Sequence, residues 1–306
     1  MFKNSISISS LSKNYGDKKA LNQINLEIQE GEIFGLIGQN GAGKTTLLKI
    51  LLGFTKSSSG KVEIMGESNS VFIREKIGYL PEKVILHPFL TAIEFLKITA
   101  QLSFVPENRI LKRAEECLEK VGLTEERNRK LETFSKGMIQ RIALAQAILP
   151  KPEILFLDEP GSGLDPKGLI DLRNLILEIN RENKTTIFLN SHRLIEAEKL
   201  CKRISILHKG NLVATGTMDE LTKKKNLIQI KLLEEQKEIE IYLEQISKFF
   251  QKVKNEYHIE PKEGLDDRLI PTKIIEKGGT ILKYEIQKED LEEVFLRVIG
   301  EKIESN

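Results

Sequence analysis

The sequence predicts an α/β fold, and three observations predict it. Apolar runs at 32–38 (EIFGLIG), 153–158 (EILFLD) and 185–190 (TTIFLN) are short and non-alternating. Such runs, bounded by polar or glycine-rich turns, suit strands buried on both faces of a parallel sheet. Each is followed by a helix-like segment, the βα alternation of an α/β core. A length of 306 residues leaves room for about two domains, so the core is expected to have company.

Taken in order, residues 1–30 alternate polar and apolar in SISISSL and LNQINLEI, the period of half-exposed strands, and form an N-terminal antiparallel β subdomain. The stretch from about 83 to 150 reads mostly as helix and forms a helical subdomain inserted into the core. There Thr91 and Glu94 have capping-box spacing ahead of an amphipathic run. After the second buried run, Asp165 is placed to cap a helix with Pro166 in its first turn. The apolar stripe of that helix is Leu169, Leu172, Ile176 and Ile179. Lysines at 223–225 mark a solvated linker, which sets the expected domains at 1–222 and 226–306. The second is a small C-terminal α+β domain: LIQIKLL and ILKYEI alternate as strands. A final helix is capped by Asp290 and Glu293 and presents Leu291, Val294, Phe295 and Val298.

Composition narrows the function classes. With 47 basic against 45 acidic side chains the net charge is only +2, which leaves no electrostatic footprint for nucleic acid, so no nucleic-acid partner is expected. Cys117 and Cys201 are far apart and lack metal spacing, and read as unpaired thiols of a reducing compartment. The N-terminus has no apolar core of the secretory kind, and no run approaches the roughly 20 apolar residues of a membrane helix. Any membrane role is expected to come through a partner.

The chemistry is concentrated in two places. Gly38-Gln39-Asn40-Gly41-Ala42-Gly43-Lys44-Thr45 fits a phosphate-binding loop: glycine, four residues, then Gly-Lys-Thr. Glycines let successive N–H groups turn inward toward phosphate oxygens, and the helix that starts near Lys44 adds its positive end. Lys44 brings a mobile charge to the β- and γ-phosphates, and the Thr45 hydroxyl can ligate Mg²⁺. At the end of the second buried run, Asp158 is placed to hold Mg²⁺ through its water shell. Glu159 follows it, placed to orient or deprotonate water.

These residues resemble one family, the ATP-binding cassette (ABC) ATPases. The telling segment is Phe134-Ser135-Lys136-Gly137-Met138, about twenty residues before the acidic strand. It resembles the family's Leu-Ser-Gly-Gly-Gln signature, with Lys136 and Met138 as departures. The resemblance spans about residues 1–220 and implies a P-loop NTPase (RecA-like) core. It makes Tyr15 the aromatic that stacks on adenine, Gly163-Leu164-Asp165 the loop that communicates between two sites, and His192 the switch histidine. His87, His208 and His258 have no such support and are left as structural. Gly78-Tyr79-Leu80-Pro81-Glu82 carries a glutamate where many members have glutamine. Glu82 can still ligate Mg²⁺ or hold water, but its charge near the γ-phosphate is expected to slow hydrolysis or tighten its coupling to a partner.

The resemblance further implies ATP and Mg²⁺ as cofactors, with no other metal. It implies a homodimer in which two cassettes sandwich two ATP molecules, residues 38–46 of one subunit facing Ser135, Gly137 and Met138 of the other. Glu159, His192 and Lys44 are then the catalytic set. Residues 78–82, 135–138 and 290–296 resemble bacterial exporter subunits, which implies a cytoplasmic protein held at the inner face of the cell membrane by a separate transmembrane permease. Residues 84–89 fall where such a permease would dock, or in a buried core turn. The competing classes are a cassette protein acting on ribosomes or nucleic acid, and a kinase or other P-loop enzyme. The first usually carries paired cassettes, coiled coils or zinc motifs; the second would leave Ser135 and His192 unexplained. For residues 226–306, regulation, dimer stiffening and extra core packing stay open.

Overall fold

A computed structural model describes the chain apart from residues 1–3, 69–70, 223, 263 and 304–306. The chain divides into two units, Met1–Met218 with Val298–Asn306, and Asp219–Arg297.

In the first unit the leading strands β1 (Asn4–Tyr15) and β2 (Lys18–Gln29) pair antiparallel, as their alternation predicts. With β4 (Ser59–Ile64) and β5 (Glu67–Ser68) they make a four-stranded sheet in the order β2-β1-β4-β5. The three apolar runs become β3 (Ile33–Ile37), β7 (Ile154–Asp158) and β8 (Thr186–Ser191), and every residue of each is buried. That is why they do not alternate. β6 (Ile77–Leu80), β9 (Arg203–His208) and β10 (Asn211–Thr217) complete a six-stranded sheet, β10-β9-β3-β8-β7-β6, parallel except for the β9–β10 hairpin at its edge. Phe188 sits between Phe34 and Phe156, tilted against both with ring centroids 5.8 and 5.5 Å away, within the contact range of aromatic pairs.

Helix α1 (Lys44–Leu51) drops from β3 and buries Leu47, Leu48 and Leu51. Each such side chain contributes about 1.5–3 kcal/mol of burial. After the short α2 (Val71–Arg74), the helical insertion consists of α3 (Ala92–Leu102), α4 (Glu107–Lys120) and α5 (Lys136–Ile148), packed on one another. Thr91 caps α3 with a complete capping box to Glu94. Helix α6 (Pro166–Asn183) is capped by Asp165 and buries Leu172, Leu175, Ile176 and Ile179; Leu169, expected in the stripe, is only half-buried, and Leu175 is a further buried position. Helix α7 (Leu194–Leu200) follows β8. Cys117 and Cys201 are buried free thiols, and burial pushes the Cys117 thiol up to about 11.

The register aligns Ile37 with Ser191 and Asp158 with Asn190 across β3, β8 and β7. Three strand ends therefore deliver the glycine-rich loop, the carboxylate pair and the Ser191-His192 segment to one edge. In open α/β sheets this carboxyl edge is where ligands bind.

The first unit's main segment ends at Met218, the first residue of α8 (Met218–Leu221). The second unit runs β11 (Lys224–Leu232), α9 (Lys237–Ile246), β12 (Ser247–Val253), β13 (Glu256–Pro261), α10 (Leu269–Glu276) and β14 (Ile281–Lys288), then enters α11 (Leu291–Ile303). Its sheet order is β12-β13-β11-β14, antiparallel throughout, which is the split βαβ arrangement. Ile228, Ile230, Tyr257 and Ile259 of the sheet bury against Ile239, Leu243, Ile270 and Ile274 of the helices. The expected linker is corrected here. Lys224 and Lys225 belong to β11, Lys224 pairing with Lys288, and Lys223 lies outside the described residues. Lysines can open a strand as readily as they fill a linker, so composition alone does not separate the two. Asp290 and Glu293 cap α11 reciprocally, at 2.9 and 3.1 Å. Val298 is half-buried and Ile299 is the buried position beside it.

Candidate active site

The turn from β3 into α1 is built for close backbone approach. A Cβ on Gly38 would stand 2.3 Å from Leu207 O, and Gly43, at φ +112°, would put one 2.6 Å from Ala20 O. Any other residue at these two positions would force the loop off its neighbours. Lys44 is buried, and its ammonium spans the loop, donating to Gly38 O (2.7 Å) and Gln39 O (3.3 Å). Gln39, Asn40, Gly41 and Thr45 are exposed, Ala42 is buried, and Thr46 is half-buried.

Along this loop runs a cleft of about 430 Å³ lined by Tyr15, Asn40, Gly41, Lys44, Thr45 and Thr46. Tyr15, half exposed at the end of β1, has Lys13 Nζ 4.9 Å above its ring. Lys18, Lys19, Ala20, Lys209 and Gly210 share the cleft and were not singled out from sequence. Lys209 and Gly210 come from the β9–β10 turn, pinned by Gly210 N–H to Ala42 O at 2.8 Å, and nothing in their local pattern signals the contact.

The carboxylate pair lies at the end of β7. Asp158 accepts from Asn190 Nδ2 at 2.6 Å. Glu159 leaves the strand at φ +48°, a costly conformation for a side-chain-bearing residue, which turns its carboxylate toward the next strand end. There Oε1 accepts His192 N–H at 2.8 Å and lies 2.7 Å from His192 Nδ1, while Oε2 accepts from Ser191 Oγ at 3.3 Å. Glu159 is buried; the His192 ring is half exposed. The partnership of Asn190 with Asp158 is not legible in the sequence, where its one signal is that Asn190 precedes Ser191-His192.

One ammonium meets three carboxylates. Burial pushes Lys44 below its ordinary value, and the charges of Glu159, Asp158 and Glu82 pull it back. Burial raises Asp158, Glu82 and Glu159 raise it further, and Asn190 and Lys44 oppose. Tyr79 is pushed up to about 12 by burial and then by Asp158 and Glu82. This surplus of negative charge around hard oxygen donors suits a small divalent cation. Among the described residues no three His, Cys, Asp or Glu side chains form a ready-made cage. Mg²⁺ takes one or two carboxylates plus phosphate and water, so the donors present fit it.

The signature turn is elsewhere. Ser135 is exposed and caps α5, its Oγ accepting Met138 N–H at 3.3 Å; Gly137 and Met138 are half-buried. None of the three lines the cleft.

A phosphate loop between a buried strand and a helix, facing an acidic strand end, defines a P-loop ATPase. Comparison with known proteins narrows that class. The family model for the ABC transporter matches residues 21–162. An uncharacterised ABC transporter ATP-binding protein of Nostoc is 38% identical over 92% of this chain and 83% of its own length. The bacitracin transport ATP-binding protein BcrA of Bacillus licheniformis is 34% identical, covering 96% and 97%. Among solved structures, cbiO1 of Clostridium perfringens, part of the ABC transporter complex cbiONQ, has a TM-score of 0.67 at 27% identity, over 72% of this chain and 90% of that one. A dimeric post-hydrolysis state of the ATP-binding cassette MJ0796, bound to ADP and Pi, has a TM-score of 0.63 at 28% identity, over 70% and 98%. The chain belongs to the ATP-binding subunits of ABC transporters, and it is an ATPase.

Proposed function

We propose that this chain powers export through a separate membrane permease, working as a homodimer that closes head to tail over two ATP molecules. The observation that carries the dimer is the separation of Ser135, Gly137 and Met138 from the cleft that holds Lys44 and Thr45. A turn exposed on one face and a half-lined cleft on another are completed by a second copy. Export rests on the likeness to a bacitracin transport protein over nearly the whole of both chains. No helix among the described residues is long and apolar enough to cross a membrane; in this reading the translocation path belongs to the permease. Residues 84–89, the candidate docking stretch, keep Ile85 91% and Phe89 76% exposed, which favours docking over a core turn. The protein's place is then the inner face of the cell membrane.

In hydrolysis, the 38–45 loop and Lys44 hold the phosphates through backbone N–H groups and one ammonium. Tyr15 stacks on the base, and Glu159 orients the attacking water and takes its proton. His192 holds the Glu159 carboxylate and faces the transferred group. Mg²⁺, held by Thr45 and Asp158 with the Glu82 carboxylate at the rim of the site, would supply charge neutralisation on the phosphates.

Affinity purification of the tagged protein from gently solubilised membranes tests the partner. An integral membrane protein recovered in near-equal amount supports the permease. Recovery with ribosomes or nucleic acid alone would overturn transport and leave the ATPase standing.

A further inference from the structure

Between the hydrolytic corner and the signature turn runs the loop 160–164, and two basic side chains hold it. Arg193 Nη1 donates to Gly161 O at 3.0 Å, the carbonyl that also accepts Leu164 N–H at 3.3 Å. Arg193 donates its own backbone N–H to Ser191 Oγ at 2.9 Å, and Ser191 Oγ donates to Glu159 Oε2. Arg193 is therefore joined to the loop through its side chain and to the partners of Glu159 through its backbone. At the other end of the loop the Lys136 side chain lies across Gly163. A Cβ there would fall 1.7 Å from Lys136 Nζ and 2.4 Å from its Cε, and Gly163 sits at φ +72°. Lys136 directly follows Ser135. Neither Arg193 nor Lys136 forms an ion pair with a carboxylate among the described residues. Their charge is left for backbone oxygens and the loop, where a guanidinium bond to a carbonyl is stronger than a neutral one.

We propose that Arg193 is a positioning residue for hydrolysis. It ties the loop 160–164 to the Glu159–His192 pair, so that a movement of the Ser135 turn, passed on by Lys136, changes how the Glu159 carboxylate is held. The contacts run in one chain: Ser135 to Lys136, across Gly163, through Gly161 O to Arg193, then Ser191 and Glu159. Two short segments on either side of the loop thereby become one mechanical unit, without Arg193 touching nucleotide. The proposal rests on the reading of Glu159 as the hydrolytic carboxylate.

The experiment is steady-state ATP hydrolysis and fluorescent-ATP binding on the full chain. Arg193→Ala lowers kcat about tenfold, the scale of one lost charge-assisted hydrogen bond, while KM for ATP stays within about twofold. Arg193→Lys, which keeps one donor toward Gly161 O, recovers most of that rate at an unchanged melting midpoint. Should Arg193→Ala not fold, Arg193→Gln carries the same comparison. A kcat within twofold of the parent, or a KM that rises in step with the loss, overturns the proposal. Gly163→Ala evicts the lysine and lowers kcat. Combined with Lys136→Ala it lowers kcat no further than either change alone, because both cut the same link; losses that multiply remove Lys136 from the chain of contacts. Glu159→Gln, assayed in parallel, separates the two readings. Parental hydrolysis in that variant sinks the Glu159 assignment itself, whereas an inactive Glu159→Gln beside a fully active Arg193→Ala sinks only the tie.

Discussion

The end of β7 and the start of α5 are both turns carrying candidate functional side chains, and they are finished to different degrees. At the first, Asp158 and Glu159 are buried, and Glu159 has a partner for each of its oxygens inside the chain. At the second, Ser135 and Lys136 are exposed, and among the described residues Ser135 Oγ bonds to its own helix alone. Burial of charge demands partners at once, because an unpartnered buried carboxylate costs several kcal/mol. An exposed hydroxyl at a helix start can wait for one. The proposed hydrolytic corner is thus preorganised in the monomer, and the signature turn is left for the second copy of the proposed dimer.

The difference predicts which changes disable chemistry and which disable assembly. The largest effect is expected from Glu159→Gln, which keeps the shape and removes the proposed base. Hydrolysis falls roughly a hundredfold or more, on the scale of general-base catalysis, while ATP still binds. Light scattering with ATP then finds dimers accumulating. A variant that hydrolyses ATP at the parental rate, or that stays monomeric with ATP bound, breaks the comparison at its stronger side. Next is Lys44→Ala. Lost charge-assisted bonds of about 1.5–3 kcal/mol predict roughly ten- to a hundredfold weaker binding in a fluorescent-nucleotide titration. Unchanged binding would mean that the loop's N–H groups suffice alone.

The finished corner was also the more legible one. Gly38 to Thr45 and the Asp158-Glu159 pair are consecutive residues following all-buried strands, so spacing and chemistry coincide in the sequence. Asn190, Arg193, Lys18, Lys19 and Lys209 reach the site only through the register of other strands and turns, which local pattern does not carry. The same limit explains the second unit. β11 and β14 alternate, and their pattern predicts strands. β12 (SKFFQKV) is an edge strand whose exposed Phe249 and half-buried Phe250 stand side by side, and α10 has Pro271 within its first turn. Neither presents a clean period, so the hairpin and that helix were visible only in three dimensions.

Ser135→Ala tests the unfinished side. Losing the cap costs about 1 kcal/mol at one exposed helix end, which the fold tolerates. Monomeric ATP binding should stay within about twofold of the parent, since Ser135 does not line the cleft. ATP-driven dimerisation, followed by light scattering in the Glu159→Gln background, should weaken about tenfold, as for one lost hydrogen bond to a charged group. Dimerisation as tight as in the parent background would place the second copy's contacts elsewhere.

Glu82→Gln carries the smallest expected effect, and it probes the corner from its exposed rim. Glu82 raises Asp158 and adds to the negative charge facing Lys44, yet unlike Asp158 and Glu159 it is exposed. Screening by salt reaches exposed charges and spares buried ones, with a Debye length of about 8 Å at 0.15 M and about 3 Å at 1 M. Glu82→Gln should therefore raise hydrolysis about two- to threefold at low salt, the scale of an exposed charge interaction, and the gain should vanish near 1 M salt. A gain that survives high salt would mean that Glu82 acts by direct contact with the nucleotide or its ion. A loss at every salt concentration would make its carboxylate a needed ligand, and the charge at this position would then serve the site.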